Sequence, residues 1–485
     1  MYSSQLIPKD IQFPEVYHQI CKALPEEYFN QAWLVGGAIR SIMLNQPLDD
    51  LDFIVQDNAI LCARTVADRL GADYFTLDDK RGVGRILLRD NARTAVDISC
   101  MHSDGIEADM LNRDFTINAI AMRCCNPQEL VDPTEGLKHI RQKKIRMVSK
   151  QSFSDDPIRL IRAIRIAVQT NFIIEPNTSI EIRKHIAKLQ QVSTERIRDE
   201  FMKCLSSESP HKAVHLLSYL DMMKYILADW NDTVGQEALS KLRTLESLVS
   251  IIFARKTRDA ACEYTLGLFA STVGQFRPEL EQYLSGEIVI RRHRYQLMYL
   301  AILLRALAVS SDNRTMVDVL RLSKIECNMI TLMMPVVDLP ETLSTPEDSL
   351  IRKQYSTTIN LIPPNKARAI HKFFRTHSTI AIEIGLLALA EIISKYGPQI
   401  PHDLWERKLA AMFVLLDGYF DRYDQLINPK TIIDGNDLIQ ELGYEPGAKL
   451  GTILKQLSEA QAAGELCDRD SALKMARSLY STSNK

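Results

Sequence analysis

The pattern of apolar and polar residues changes along the chain, from short apolar runs to a long helical repeat. Short runs at 32–35, 53–55, 85–88 and 95–98 predict strands, whereas residues 59–70 have the apolar spacing of a helix. From about residue 155 the helical period dominates, and Pro, Ser, Thr and Asn clusters mark the predicted helix ends. The pattern therefore predicts an α+β fold, in which a head of mixed sheet and helices precedes an all-α remainder.

The chain has 485 residues, which is too long for one compact core. We predict four domains: a head of mixed sheet and helices at 1–145, a neck at 146–210, a helical body at 211–345 and a helical tail at 346–485. Residues 340–350 are rich in Pro, Ser, Thr and acidic side chains, so we expect an exposed connector there.

Composition excludes some classes of protein. Charged residues make up 25% and apolar residues 46%, as in an ordinary globular protein, and the net charge of -2 argues against a uniformly basic nucleic-acid binder. Residues 138–203 nevertheless hold fifteen Lys and Arg against seven Asp and Glu, a local net charge of +8. The chain therefore carries a basic band on a nearly neutral body.

The nine cysteines are scattered and contain no Cys-x-x-Cys pair, which is typical of reduced thiols and not of a disulfide framework or a zinc site. The N-terminus lacks an apolar signal core, and no window approaches about eighteen uninterrupted apolar residues. We expect a cytoplasmic protein that does not contact a membrane.

The first candidate site combines a glycine pair with two carboxylates. On an extended strand Asp50 and Asp52 point to the same face, where their oxygens can hold a divalent cation. Gly36 and Gly37 follow an apolar run and precede a predicted helix, a place where backbone N–H groups can bind phosphate. Either motif alone is more often a turn or a solvated loop, but their order predicts a metal and triphosphate site.

Two further segments add polar groups. Asp97 ends an apolar run and would join Asp50 and Asp52 if its strand is their neighbour, giving the acidic set that two-metal phosphoryl transfer uses. Arg113 can donate to phosphate or ribose, and Asp114 can accept from a sugar hydroxyl or hold the arginine. The alternatives are a strand-end carboxylate and a helix start with an ion pair.

The segment after residue 154 predicts a basic helix. Asp155 or Asp156 is expected to cap it, with Pro157 in the first turn. Basic and apolar residues then form separate stripes along the helix, the first made by Arg159, Arg162 and Arg165 and the second by Ile158, Ile161, Ile164 and Val168. The simplest interpretation is an amphipathic helix with a solvated basic face.

Taken in order, these motifs resemble the class II tRNA nucleotidyltransferases and bacterial poly(A) polymerases of the DNA polymerase beta superfamily. The resemblance rests on Leu34-Val35-Gly36-Gly37-Ala38-Ile39-Arg40, Asp50-Leu51-Asp52, Arg113-Asp114-Phe115-Thr116-Ile117-Asn118-Ala119, the turn 132–137, and the acidic-Asp-x-x-Arg segment with Asp156 and Arg159. It continues through residues 195–200 and through the tail at 437–465.

The resemblance implies a template-independent enzyme that adds CMP, as CC or as full CCA, to a tRNA 3′ end from CTP and ATP and releases pyrophosphate. It implies Mg²⁺ held by Asp50 and Asp52, with Asp97 as a third catalytic carboxylate. Nucleotide-binding roles are implied for the following residues: Gly36, Gly37, Arg40, Arg113 and Asp114 toward triphosphate and ribose, Asp156 and Arg159 toward the base edge, and Arg162 and Arg165 in completing the nucleotide pocket. A poly(A) polymerase, an A-adding enzyme and a non-catalytic RNA-binding protein stay open, as does the oligomeric state.

The chain departs from the family pattern at several positions. Ser41 and Asn112 stand where the family usually has charged residues, and Asp155 replaces Glu. Only residues 98–108 separate Asp97 from Asp109, where CCA-adding members usually carry a longer flexible loop, so this segment favours a CC-adding enzyme. Arg305-Ala306 stands where some members have His-Asp, so no phosphohydrolase site is expected.

Overall fold

The computed structural model describes residues 13–48, 50–90, 94–102, 104–255, 263–307, 320–343 and 362–482. Contacts within the chain divide it into two compact units. The first comprises the residues up to 207 together with 219–225, and the second comprises 208–218 and the residues from 226 onward. The predicted head and nearly all of the predicted neck fall in the first unit, while the finer four-domain division stays a prediction.

The first unit mixes strands with helices. Its strands are β1 Trp33–Val35, β2 Asp50–Val55, β3 Asp73–Asp78, β4 Val83–Leu87, β5 Ala95–Cys100, β6 Ala121–Arg123, β7 Leu130–Val131, β8 Lys144–Ile145 and β9 Ile173–Ile174. Its helices are α1 Glu15–Ala23, α2 Glu26–Phe29, α3 Gly37–Met43, α4 Ala59–Leu70, α5 Ile106–Leu111, α6 Gly136–Arg141, α7 Ser152–Asp155, α8 Arg159–Thr170, α9 Pro176–His185 and α10 Thr194–Leu205. Helices α11 Pro210–Tyr219 and α12 Met223–Ile226 follow in the chain, where it passes from one unit to the other.

Seven strands form one sheet in the order β3-β4-β5-β2-β1-β6-β7. Strands β2 and β5 are parallel, and every other neighbouring pair in this sheet is antiparallel. Hairpin-like neighbours and one parallel crossover make a mixed sheet, so the predicted α+β head is confirmed. Helix α4 has the predicted bounds.

Strand β3 is an element that the sequence pattern did not predict. It lies at the sheet edge, and most of its side chains are exposed, including Phe75 and Leu77. Because an exposed edge strand has no buried face, its sequence lacks the alternation by which strands are recognised.

The second unit is almost entirely helical. Its elements are α13 Asp232–Ile252, α14 Glu263–Val273, α15 Arg277–Leu284, β10 Glu287–Val289, β11 Arg292–His293, α16 Arg294–Leu307, α17 Lys324–Met333, α18 Pro364–His377, α19 Ala381–Tyr396, α20 His402–Phe420, α21 Gly435–Leu442, α22 Ala448–Ala462 and α23 Arg469–Thr482. Helix α13 packs against α16 and α19, and α16 is buried from Tyr295 to Leu307. A helix that is apolar on nearly all sides belongs in the core of a large helical unit.

Arg305 lies at the end of α16, at the position where some relatives have His-Asp. Its side chain is buried, its Nε donates to the Met333 carbonyl at 2.8 Å, and its Nη2 donates to the Pro335 carbonyl at 3.0 Å. Its Nη1 lies 3.4 Å from a Glu391 carboxylate oxygen. The position therefore holds a structural cation that ties helix ends together.

Within the described part of the chain, one stretch, Pro364–Gln399, is long and apolar enough to cross a membrane by length and composition alone. It is divided into α18 and α19, and 67% of its most apolar window is buried inside the protein. These properties are those of core helices. The predicted connector at 340–350 lies mostly outside the described residues, apart from the short 3₁₀ turn Glu341–Leu343.

Candidate active site

The glycine pair forms a tight turn between β1 and α3. Gly36 has a φ of +77° and a ψ of −142°, a conformation that side chains rarely adopt. A Cβ atom on Gly36 would lie 3.0 Å from Asp52 Oδ2 and 3.3 Å from Arg113 Nη1. The backbone therefore passes so close to the predicted metal ligand that only glycine fits there.

Strand β2 presents the two predicted metal ligands on one face. Asp50 and Asp52 are partly exposed, whereas Leu51 between them is fully buried, as the alternation predicts. Burial raises the pKa of Asp52 to about 6, and the neighbouring carboxylates of Asp97 and Asp50 add to that shift while Arg113 opposes it. The protein thus leaves the negative charge of Asp52 only partly compensated.

Strand β5 is the neighbour of β2, and Asp97 pairs in register with Asp52. The predicted proximity of these carboxylates is therefore present. However, both oxygens of Asp97 are engaged by Arg85 of β4, with Nε to Oδ1 at 2.7 Å and Nη2 to Oδ2 at 2.6 Å. The structure therefore places Asp97 beside the predicted metal ligands but in a bidentate ion pair of its own.

The Arg113-Asp114 motif is organised around the buried Asp114. Its Oδ1 accepts from the Phe115 backbone N–H at 2.7 Å and from Asn118 Nδ2 at 3.0 Å. Burial alone would raise the pKa of Asp114, but the Arg162 charge and these hydrogen bonds outweigh it, so the pKa lies below its usual value. Arg40 Nη1 donates to Asn118 Oδ1. Asp114 is thus a fixed anion that orients the polar groups around it.

Helix α8 carries the predicted basic stripe, and Ile158, Ile161 and Ile164 of the apolar stripe are buried while Val168 is half-buried. Arg162 Nη1 lies 3.3 Å from Asp114 Oδ2, and Arg162 Nε lies 3.4 Å from Glu200 Oε1. Arg165 Nε donates to Glu200 Oε2 at 2.8 Å. Burial would raise the pKa of Glu200, but Arg165 and Arg162 hold it below its usual value. The basic face is therefore not simply solvated, because a buried carboxylate of α10 holds two of its arginines.

The predicted cap of this helix is wrong in detail. Asp155 ends α7 and Asp156 is extended, while α8 begins at Arg159 with Ile158 as its N-cap and no capping side chain. Asp156 Oδ2 instead accepts from Arg196 Nη2 at 2.9 Å. The carboxylate is drawn away from the helix because a cation on α10 supplies a stronger partner than the backbone N–H groups.

These groups converge on a cavity of about 520 Å³. Every predicted site residue except Asp97 and Asp156 lines it: Gly36, Gly37, Arg40, Asp50, Asp52, Arg113, Asp114, Arg159, Arg162 and Arg165. The sequence interpretation assigned no role to the remaining lining residues, Ser41, Asp109, Asn112, Asn118, Ile166, Glu200 and Lys203. Asn118 and Glu200 could have been predicted as site residues from the sequence, because both belong to motifs that carry the family resemblance. Asp109 and Lys203 lie outside those motifs, so no sequence signal pointed to them.

The cavity offers hard oxygen ligands for a metal ion. Among the residues that the structure describes, no group of three or more His, Cys, Asp or Glu side chains is arranged to hold a metal. The available donors are the carboxylates of Asp50 and Asp52, and the raised pKa of Asp52 marks a charge that a cation would compensate. Such a pair suits a divalent cation that keeps water ligands and takes others from phosphate oxygens.

The segment between Asp97 and Asp109 is short. Strand β5 continues to Cys100, and α5 begins at Ile106. The carboxylate of Asp109 accepts from the His102 backbone N–H at 2.8 Å. Residues 98–108 are therefore mostly strand and helix, not a long loop, in the part that the structure describes.

Comparisons with known proteins agree with this geometry. Residues 32–146 match the family described as "Poly A polymerase head domain", and residues 171–232 match "Probable RNA and SrmB- binding site of polymerase A". The chain is 29% identical to the CC-adding tRNA nucleotidyltransferase of Geobacter sulfurreducens, over 91% of this chain and 90% of that protein. It is 25% identical to the A-adding tRNA nucleotidyltransferase of Deinococcus radiodurans, over 90% and 92% of the two chains.

The fold is also similar to that of a solved structure, the Thermotoga maritima CCA-adding enzyme complexed with tRNA. The TM-score is 0.55 at 18% identity, and the alignment covers 98% of this chain and 97% of that one. The head match, the relatives that cover nearly the full length and the converging motif residues lead to one conclusion. Residues 32–146 belong to the poly(A) polymerase head-domain family, and the chain is similar over nine tenths of its length to tRNA nucleotidyltransferases of the class II type.

Proposed function

We propose that this protein is a tRNA nucleotidyltransferase, an enzyme that transfers CMP from CTP to a tRNA 3′ end without a nucleic-acid template and releases pyrophosphate. One observation carries the proposal: the carboxylates of Asp50 and Asp52 face the same cavity as Arg40, Arg113 and Arg159. A volume of about 520 Å³ lies in the range of cavities that hold a molecule of nucleotide size.

The reaction needs positioning and charge compensation more than covalent chemistry. The terminal hydroxyl of the tRNA attacks the α-phosphorus of CTP, a new phosphodiester bond forms, and the bond to the β-phosphate oxygen breaks with its electron pair leaving on pyrophosphate. Arg40 of α3, Arg113 and the turn at Gly36 and Gly37 bind and orient the triphosphate. We expect Mg²⁺ at Asp50 and Asp52, where it would compensate phosphate charge and make the attacking hydroxyl more acidic.

Base selection is assigned to the start of α8. Arg159 lies in the cavity, where its Nη2 donates to the Asn112 carbonyl at 3.0 Å, so its guanidinium is held while keeping donors for a base. A guanidinium that donates to ring acceptors and a carboxylate that accepts from an exocyclic amine suit C and A, and not U and G. Asp156 would supply that carboxylate, either while it still accepts from Arg196 or after it has left Arg196 to contact the base.

The short segment at 98–108 supports a product that ends in CC. The family resemblance implies that a longer loop helps the pocket to switch from C to A, whereas here β5 ends at Cys100 and α5 begins at Ile106. The similarity to a CC-adding relative over nine tenths of both chains agrees with this assignment. An A-adding enzyme is the second candidate, because an A-adding relative is similar over almost the same length.

The RNA is expected to bind through its backbone. The basic band at 138–203 covers most of the predicted neck and overlaps residues 171–232, which match an RNA-binding region. Phosphate contacts recognise the shape of the RNA more than its sequence, and the affinity they give falls steeply with salt concentration. Free thiols at the eight cysteines that the structure describes suit the cytoplasmic setting that we expect for this reaction.

The test is nucleotide incorporation into a tRNA truncated before its CCA end, with CTP and ATP supplied separately and together. A product that ends in CC under both CTP conditions supports the proposal. Completion to CCA would overturn the assignment of base, and addition of A alone to a tRNA that ends in CC would favour the A-adding enzyme. Long A tracts on unrelated RNA would favour a poly(A) polymerase.

A matched pair of variants separates an enzyme from a non-catalytic RNA-binding protein. Asp50→Ala removes a ligand of the proposed metal and should abolish incorporation while leaving tRNA binding nearly unchanged. Asp68→Ala removes an exposed carboxylate on α4, outside the cavity, and should leave both properties unchanged. If the wild-type protein incorporates no nucleotide with Mg²⁺ present, the enzyme proposal fails.

A further inference from the structure

Three charged residues form a row across neighbouring strands of the sheet. Arg85 of β4 pairs in register with Asp97 of β5, and Asp97 pairs in register with Asp52 of β2. Residues in register on adjacent strands present their side chains to the same face. The row therefore runs from an arginine, through a carboxylate, to one of the proposed metal ligands.

Asp97 is held tightly on the arginine side of this row. Both of its oxygens accept hydrogen bonds from Arg85, at 2.7 and 2.6 Å, and the two side chains are only 26% and 19% exposed. A bidentate pair of a guanidinium and a carboxylate is among the strongest charge-assisted contacts in proteins. Breaking it would leave an arginine without a partner at a partly buried position, which is costly.

We propose that Arg85 is a positioning residue of the metal site, which keeps Asp97 out of the ligand set and leaves Asp50 and Asp52 as the protein's ligands. This inference rests on the function proposed above. The side chains of Asp50, Asp52, Asp97 and Arg85 together carry a net charge of −2. The charges of Arg85 and Asp97 cancel, so this net charge comes from Asp50 and Asp52. A site with two carboxylates binds a divalent cation weakly by itself, and the triphosphate supplies further oxygens. Metal binding is thereby coupled to binding of the nucleotide.

The test measures Mn²⁺ binding to the free protein by electron paramagnetic resonance, without any turnover. Arg85→Met removes a positive charge and releases Asp97, so Mn²⁺ should bind about tenfold more tightly. Asp97→Asn leaves the arginine charge uncompensated and should weaken binding by about the same factor. The double variant restores the net charge and keeps both ligands, so its affinity should lie within about twofold of the wild-type value.

The double variant, Arg85→Met with Asp97→Asn, shows whether Asp97 is itself a metal ligand. If Asp97 is itself a metal ligand, the double variant binds Mn²⁺ as weakly as Asp97→Asn, and the inference is overturned. It is also overturned if Arg85→Met fails to tighten Mn²⁺ binding. Should Arg85→Met unfold, Arg85→Gln replaces it, since the same loss of charge predicts the same tightening.

A matched control comes from a second pair of an arginine and an aspartate in the same sheet. Arg89 donates through Nη2 and Nε to Asp73 at 2.7 and 3.3 Å, but this pair is exposed and does not line the cavity. Arg89→Met should leave Mn²⁺ binding unchanged. The incorporation assay on wild-type protein reports separately on the proposed function, so a failed assay and a failed variant cycle are distinguishable.

Discussion

Replacement of Gly36 by alanine tests whether the turn before α3 positions the metal ligands. The added Cβ would lie 3.0 Å from Asp52 Oδ2 and 3.3 Å from Arg113 Nη1. Contacts this short force the carboxylate, the arginine or the turn to move by several tenths of an ångström. Because Asp52 is a proposed metal ligand, such a movement acts directly on the reacting groups.

Two effects contribute to the expected result. A side chain at the φ of +77° of Gly36 strains the backbone and should cost about 2–3 kcal/mol of unfolding free energy. Displacement of a catalytic group by a fraction of an ångström to an ångström should lower kcat by about a hundredfold. The measurements are steady-state CMP incorporation and calorimetric unfolding of the same preparations.

Gly71→Ala is the matched control. Gly71 also has a positive φ, of +62°, but nothing lies within 4 Å of its Cβ position at the end of α4. It should lose about 1–2 kcal/mol of stability with kcat unchanged. The reasoning is refuted if Gly36→Ala keeps kcat within about threefold of wild type, or if Gly71→Ala loses as much activity.

Three further changes test the buried charges. Glu200→Gln removes the carboxylate that holds two cavity arginines, Arg162 and Arg165. It should lower the unfolding free energy by about 2 kcal/mol and raise the KM for CTP. An unchanged melting temperature and KM would contradict this role. Asp114→Asn should make the unfolding free energy less dependent on pH in the acid range. The pKa of Asp114 is depressed in the folded state. The carboxylate therefore stabilises the fold fully above the unfolded pKa of about 4, and this stabilisation is lost as pH falls through the folded pKa. Urea unfolding between about pH 2 and 6 measures that difference, and identical profiles for the two proteins would contradict it. Arg305→Met removes the donors to two carbonyls and one of the two cations beside Glu391, which keeps Lys241 at 3.1 Å. The second unit should therefore lose about 3 kcal/mol of unfolding free energy, measured by guanidinium unfolding, while CMP incorporation at low temperature is retained.

Local patterns predicted a large part of the fold and of the cavity. Helix α4 and strands β1, β2, β4 and β5 have strong apolar periodicity, and all of them are present within a few residues of the predicted bounds. Strand β3 was missed because its exposed edge position leaves no periodic signal. The cap of α8 was predicted wrongly because a helix cap and an ion pair compete for the same carboxylate, and Arg196 is far from Asp156 in sequence.

The sequence by itself determined the motifs from which the family and the candidate site were predicted: the glycine pair, Asp50 and Asp52, the Arg113-Asp114 motif and the arginines of α8. Only the tertiary structure decided which partner each charge has. Asp97 is beside Asp52 yet bound to Arg85, and Arg162 and Arg165 of α8 are held by Glu200. Motifs are read from spacing along the chain, whereas the partner of a carboxylate depends on strand register and on packing between distant helices. The charge of the proposed metal site is therefore a property of the folded sheet.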